Sequence, residues 1–355
     1  METTGAQVPS RVALRRAVAQ NADAGHENLG FLSESHGFVP TQAPRLQLPA
    51  SHRVWDDTAS HLPELWRTIG VRDTLAGMPV LDADGLGEAD LWRASCLLSV
   101  FAHSFVRIEP RPAGDLPASI QRPWDQITRR LGRPRRFLSY NDLIVYNWRL
   151  REPDRTDPMR VENLELLVPT VGNQEERVFY LTQVEILAQC APIVPALVRA
   201  QEAVVRDDRA ALEAELLLIL ERLQHVTEAS FQKIDPNPLS DTYVDPVVWA
   251  TTVAPFAVPI EAGTAGPSGT ASPIFHALDT FFERKRFDSV LGKEALHLRP
   301  WFPQHQQNFV QALGEISVAG YVSKHDPATK TAAVPVLAIW LFTICTLLVS
   351  PRRIP

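Results

Sequence analysis

The sequence predicts a mainly α-helical protein with a small mixed N-terminal part. Apolar residues recur every three or four positions in several long segments, strand-like alternation is scarce, and 29 prolines and 17 glycines punctuate the 355 residues. Residues 1–25 are Ala-rich and polar, with Arg11, Arg15 and Arg16 but no apolar core, which reads as a disordered tail or an arginine-rich transit peptide. Residues 26–60 read as irregular chain with short helices. Leu91–Val106 (LWRASCLLSVFAHSFV) is apolar almost all round and predicts a buried helix. Pro123–Leu131 places Trp124, Ile127 and Leu131 at helical spacing before Gly132 and Pro134 stop it. Ser139–Leu150 (SYNDLIVYNWRL) reads as another apolar helix.

Phe179–Ala200 contains Pro192 and Pro195, so it is two helices or one kinked helix. Asp207–Gln232 gives the clearest helical period, with Leu212, Leu216, Leu220, Leu223 and Val226 opposite a charged face. In Ser272–Arg284 the serine can cap, Pro273 suits the first turn, and Ile274, Leu278 and Phe281 line one face. Gln304–Leu313 continues in that style. Ala332–Val349 is eighteen residues without a charge, followed by Arg352 and Arg353. It is a tail anchor, a buried core helix or translated intron, being at the lower limit for spanning a bilayer.

Composition narrows the function. A net charge of -6 and a pI near 5.9 argue against a nucleic-acid partner. Cys96, Cys190 and Cys345 are far apart and odd in number, which predicts a reducing, cytoplasmic setting and excludes a zinc ribbon or thioredoxin site. An intracellular membrane reached through 332–349 is the alternative location. No His-Glu-x-x-His helix, P-loop or G-x-S-x-G elbow is present. Gly263–Ser272 (GTAGPSGTAS) lacks the lysine of a phosphate loop and reads as a mobile loop or one that closes over a ligand. His103 and His225 read as core or surface histidines, and Arg133, Arg135 and Arg136 as a solvated turn.

Six segments, in consistent order over roughly residues 30–325, resemble the indoleamine 2,3-dioxygenase family. They are HGFVP (36–40) with HLPELW (61–66), LPASIQRPW with LGRPRRFLSYNDLIVYNW (116–148), Asn163–Leu164 with FYLTQVEILAQCAPIVP (179–195), DPVVWATTVAPF (245–256), GPSGTASPIFHALDTFF (266–282), and FPQHQQNF (302–309) with SVAGYV (317–322). The resemblance implies an all-helical large domain carrying haem b under a smaller N-terminal domain. The boundaries expected are a tail (1–25), the smaller domain (26–115), the helical haem and substrate domain (116–330) and the apolar segment (331–355). It implies a monomer whose partners are O2 and an indole-type small molecule. The reaction is insertion of O2 across the indole C2–C3 bond of tryptophan or a related indole, giving N-formylkynurenine from tryptophan. Haem supplies the oxygen chemistry, the protein an apolar pocket that holds the flat indole, and a proximal histidine sets the iron's electronics.

Carried onto this chain, the resemblance places Tyr140, Leu143 and Ile144 in the distal pocket, with Phe179 and Tyr180 near the indole. Trp249 replaces a phenylalanine on the pocket wall, and Ser268 and Gly269 lie in the loop above the haem edge. Three departures stand out. The family's carboxylate-binding arginine is replaced by Ala254, which removes a contact worth about 2–5 kcal/mol if buried. The substrate is then an indole without a free carboxylate, or tryptophan is held differently. Gln183 occupies the distal serine position. No histidine follows His325, although the family places its proximal histidine there, which leaves His305, His325 and Cys345 as substitute ligands. A haem-dependent dioxygenase is the leading expectation. A haem-free, non-catalytic, tail-anchored relative is one alternative, and a haem oxygenase acting on another aromatic metabolite is a second.

Overall fold

The computed structural model describes residues 7–107, 113–284 and 290–325. In chain order its longer helices are α1 (Pro9–Ala24), α2 (Arg53–Ser60), α3 (Leu62–Thr68), α4 (Val71–Gly77), α5 (Leu91–Arg107), α6 (Ala118–Arg130), α7 (Gln174–Gln189), α8 (Ile193–Val205), α9 (Arg209–Ala229), α10 (Pro273–Phe281), α11 (Val290–Leu298), α12 (Gln304–Leu313) and α13 (Val318–His325). The strands are β1 (Trp148–Leu150) and β2 (Leu164–Leu166), an antiparallel pair that matches Trp148 to Leu166 and Leu150 to Leu164. The mainly α expectation is met.

The chain divides into two compact units. One holds the described residues within Met1–Thr41, Ile186–Gln232 and Gly269–Pro355; the other is Gln42–Glu185 with Lys233–Ser268. Neither is continuous in sequence, so the boundary expected near residue 115 is not where the chain divides. Both units are built largely of helices, and the only strands among the described residues are in the second.

In the first unit, residues 9–24 form a helix instead of a disordered tail. Pro9 starts it, Gly25 at φ 68 ends it, and Leu14 and Ala17 are fully buried. A run of Ala, Val, Leu and Arg is helix-favouring, and burying one leucine side chain offsets the ordering cost by about 1.5–3 kcal/mol. α1 packs on α12, whose Phe309 meets Phe38 edge-on at 6.1 Å. α8 and α9 form an antiparallel pair separated by a tight turn at Asp207, with φ 54. Asp208 caps α9 by accepting from Ala211 N at 3.0 Å. The buried stripe of α9 is Leu212, Leu216, Ile219, Leu223 and Val226, so Ile219 stands where Leu220 was expected. α10 begins at Pro273 as predicted, but the Ser272 hydroxyl makes no cap bond.

In the second unit α5 is buried on every face, from Leu91 to Phe105, and packs on α6. α6 begins at Ala118, five residues before the predicted start, with Pro123 inside it. Ser139–Leu150 is not one helix. It is a wide turn over Asn141–Val145 followed by β1. Asn147 explains the change: its side chain accepts from Val168 N at 2.7 Å and donates to Val168 O at 3.0 Å, pulling the chain into pairing with β2. Glu185 ties this unit together. Its buried carboxylate accepts from Arg160 Nη1 at 3.0 Å, Lys233 Nζ at 2.8 Å and Val161 N at 2.8 Å.

The stretch Gln174–Val205 is long and apolar enough to cross a membrane, but it is mostly buried inside the protein. The segment 332–349 and Cys345 lie outside the described residues.

Candidate functional site

The turn that carries Tyr140, Leu143 and Ile144 is held by one buried carboxylate. Asp142 accepts from the Ser139 hydroxyl at 2.6 Å and from Ser139 N at 3.0 Å, while the Ser139 oxygen accepts from Asp142 N at 3.0 Å. This is the reciprocal geometry of a capping box. Arg133 completes it with two bonds to Asp142, at 2.9 and 3.0 Å, and a third to the Ser95 hydroxyl at 2.9 Å. Its guanidinium lies 5.1 Å from the ring centres of both Trp92 and Phe137. Arg133 is therefore a half-buried strut and not part of a solvated turn; Arg136 pairs with Glu261 at 3.0 Å, and only Arg135 of the three is exposed. Tyr140, Leu143 and Ile144 are all buried.

α7 starts with a side-chain cap. Asn173 Oδ1 accepts from Glu176 N at 2.9 Å, and the Glu176 carboxylate accepts from Thr170 N at 2.6 Å and Gly172 N at 2.7 Å. Burial still raises the Glu176 carboxyl, with these hydrogen bonds opposing the shift. Asn173 Nδ2 also donates to Thr252 Oγ1 at 2.9 Å, which fixes the turn Trp249–Val253 against the start of α7. Phe179 then meets Trp249 at 5.0 Å and Tyr180 at 6.1 Å. Burial pushes the Tyr180 hydroxyl well above the ordinary phenol range, with Glu176 adding to the shift.

Gln183, one helical turn after Phe179, is buried, and its Nε2 lacks a partner; so does the indole N–H of Trp249. Phe179 and Trp249 are thus two half-buried rings in contact, and Gln183 and Trp249 each carry an unpartnered donor. Ala254 opens the next turn, Ala254–Ala257. Ser268 is half-buried in this unit, whereas Gly269 opens the turn Gly269–Ala271 of the other. Phe179, Tyr180 and Trp249 are thus in ring contact, and the 139–145 turn and Ser268 belong to the same unit.

Two further residues were not assigned to the site from sequence, where His103 reads as a core or surface histidine. His103 on α5 is buried, lies 6.3 Å from Phe256 in a stacked arrangement, and its Nδ1 has no partner. Burial, with Arg107 nearby, lowers its pKa to about 3, so the ring is neutral. Arg107, one turn later, donates from Nη2 to Val258 O at 3.2 Å and Pro259 O at 2.8 Å. The family model for indoleamine 2,3-dioxygenase matches residues 31–258, and the chain belongs to this family. It is 28% identical over 304 residues to indoleamine 2,3-dioxygenase 2 of Mus musculus, covering 79% of this chain and 72% of that protein. It is 26% identical over 219 residues to indoleamine 2,3-dioxygenase of Saccharomyces cerevisiae, covering 58% and 48%. It is 23% identical over 317 residues to a 6-hydroxytryptophan 2,3-dioxygenase of Fusarium equiseti, covering 84% and 77%.

The family is haem-dependent, and the described histidines bear on how haem fits here. An axial histidine needs one free ring nitrogen and, on the other, a hydrogen bond that fixes the tautomer. His305 on α12 is buried with Nε2 unpartnered, but no side-chain hydrogen bond orients its ring, and His103 has the same shortcoming. His276 has both nitrogens engaged, Nε2 with Thr270 O at 2.8 Å and Nδ1 with Arg299 Nε at 3.2 Å. His325 has the orienting bond, Nδ1 to Tyr321 O at 3.0 Å, but is exposed at the end of α13. Among the described residues these histidines do not fit an axial role, and no group of three metal-binding side chains occurs there.

Proposed function

We propose that this chain is a dioxygenase of the indoleamine 2,3-dioxygenase type, inserting O2 across the C2–C3 bond of tryptophan or a related indole. The family match over residues 31–258 is the observation that carries the reading. The Phe179–Trp249 pair supports it, because a flat indole packs well beside offset aromatic rings. The role assigned to the protein is to hold and desolvate the indole. Phe179, Tyr180 and Trp249 form the aromatic wall, Tyr140, Leu143 and Ile144 the apolar floor, and Gln183 and Ser268 the polar contacts. Ala254 leaves room where a larger side chain would point at the ligand. Cys96 and Cys190 are buried, with thiols pushed up to about 12 by desolvation, so they are inert packing residues and suit a reducing compartment.

The test is turnover. The full chain is purified with haem supplied and given O2, a reductant and either L-tryptophan or 6-hydroxytryptophan. The reading predicts an N-formyl product with both new oxygen atoms from O2. A second reading, a haem-free relative that binds indoles without oxidising them, is favoured by the poor axial fit of His103, His276, His305 and His325. It predicts indole binding with no Soret absorption and no product.

A further inference from the structure

Arg107 carries a charge that no described carboxylate answers. Its Nη2 bonds two backbone carbonyls, those of Val258 and Pro259, while its Nε–H is buried without an acceptor. One turn earlier on α5 stands His103, 1% exposed, with Nδ1 unpartnered. His103 faces Phe256, whose ring lies 6.3 Å from the imidazole and 6.1 Å from Trp66. Phe256 is fully buried, so both groups border the turn that begins at Ala254. A partly desolvated guanidinium and a buried imidazole nitrogen each cost free energy unless a ligand satisfies them.

We propose that Arg107 and His103 recognise the carboxylate of an aromatic amino-acid ligand, Arg107 Nε as the charged donor and His103 Nδ1–H as the second contact. One guanidinium, with no second cation beside it among the described residues, matches a single negative charge better than a phosphate. The half-buried ring of Trp66 and the buried ring of Phe256 make the surroundings apolar. This rests on the reading of the chain as an indole-oxidising enzyme and adds what holds the substrate's charged end where Ala254 cannot.

The experiment is calorimetric titration of the full chain with L-tryptophan, indole-3-propionate and tryptamine, which has no carboxylate. Arg107→Gln is expected to weaken the two acids by about 10- to 100-fold and tryptamine by less than twofold. His103→Leu is expected to weaken the acids several-fold, and His103→Gln to recover part of that loss. Because Arg107 also holds two carbonyls, Arg107→Lys is the folding control; it keeps the charge and should retain most of the preference. Equal weakening of all three ligands, or no change, overturns the proposal while leaving the dioxygenase reading intact. Loss of hemin affinity in Arg107→Gln with the acids unaffected assigns the carboxylate to a porphyrin and also overturns it. Failure of the wild-type chain to bind any indole overturns both.

Discussion

Removing Asp142 tests whether one buried ion pair shapes the turn that carries Tyr140, Leu143 and Ile144. The carboxylate is fully buried and accepts four hydrogen bonds, two from Arg133 and two from Ser139. Asp142→Leu strands a guanidinium whose side chain is only 9% exposed. Breaking one side of such a pair costs about 3–5 kcal/mol. Arg133 keeps its bond to Ser95 and its place over Trp92 and Phe137, so the lower end, about 3 kcal/mol, is expected. For a unit of this size that lowers the midpoint by about 6–12 °C. The double change Arg133→Met with Asp142→Leu removes the stranded charge and should recover most of the loss. Urea titration followed by tryptophan fluorescence measures Asp142→Leu, Arg133→Met and the double variant. A single-variant cost below about 1 kcal/mol, or a double variant worse than the sum of the singles, would refute the reasoning.

Other outcomes follow from neighbouring features. His103 is depressed to about 3 by burial, below the ordinary value of 6.5. The unfolded chain therefore binds the extra proton between these values, and stability is full above about pH 6.5 and falls as pH drops toward 3, by up to about 1.4 kcal/mol per unit. In His103→Gln this acid slope should be shallower; an unchanged slope in pH-dependent urea melts would count against a neutral His103. Asn173→Ala removes the cap of α7 and the link to Thr252, with an expected loss of about 1 kcal/mol and weaker indole binding by calorimetry. In Gly266→Ala the added methyl would lie 2.0 Å from the Ala257 carbonyl oxygen, so the loop must move. A loss above about 2 kcal/mol is expected in thermal melts.

Much of the helical framework could be read from the chain because its signals are local. Gln304–Leu313 and the period in α9 combine a clear apolar stripe with definite stops, and both became helices. The 9–24 segment was misread because its hydrophobic stripe is thin and is stabilised by packing on α12, which local pattern does not encode. Trp148–Leu150 was misread for a similar reason: Asn147 and the partner strand sixteen residues later decide it. Within the site, the aromatic pair Phe179–Trp249 was accessible through family resemblance. Arg133 and His103 were not, since burial converts an ordinary basic cluster into a strut and an ordinary helical histidine into an unpartnered neutral ring.

The most direct measurement is product formation by the full chain with haem, O2 and a reductant supplied, followed with isotopically labelled oxygen. Dioxygenase function predicts a Soret band near one haem per chain and an N-formyl product carrying two labelled atoms. A chain that binds tryptophan but shows neither the band nor the product would contradict it and identify a relative that keeps the indole site without the oxygen chemistry.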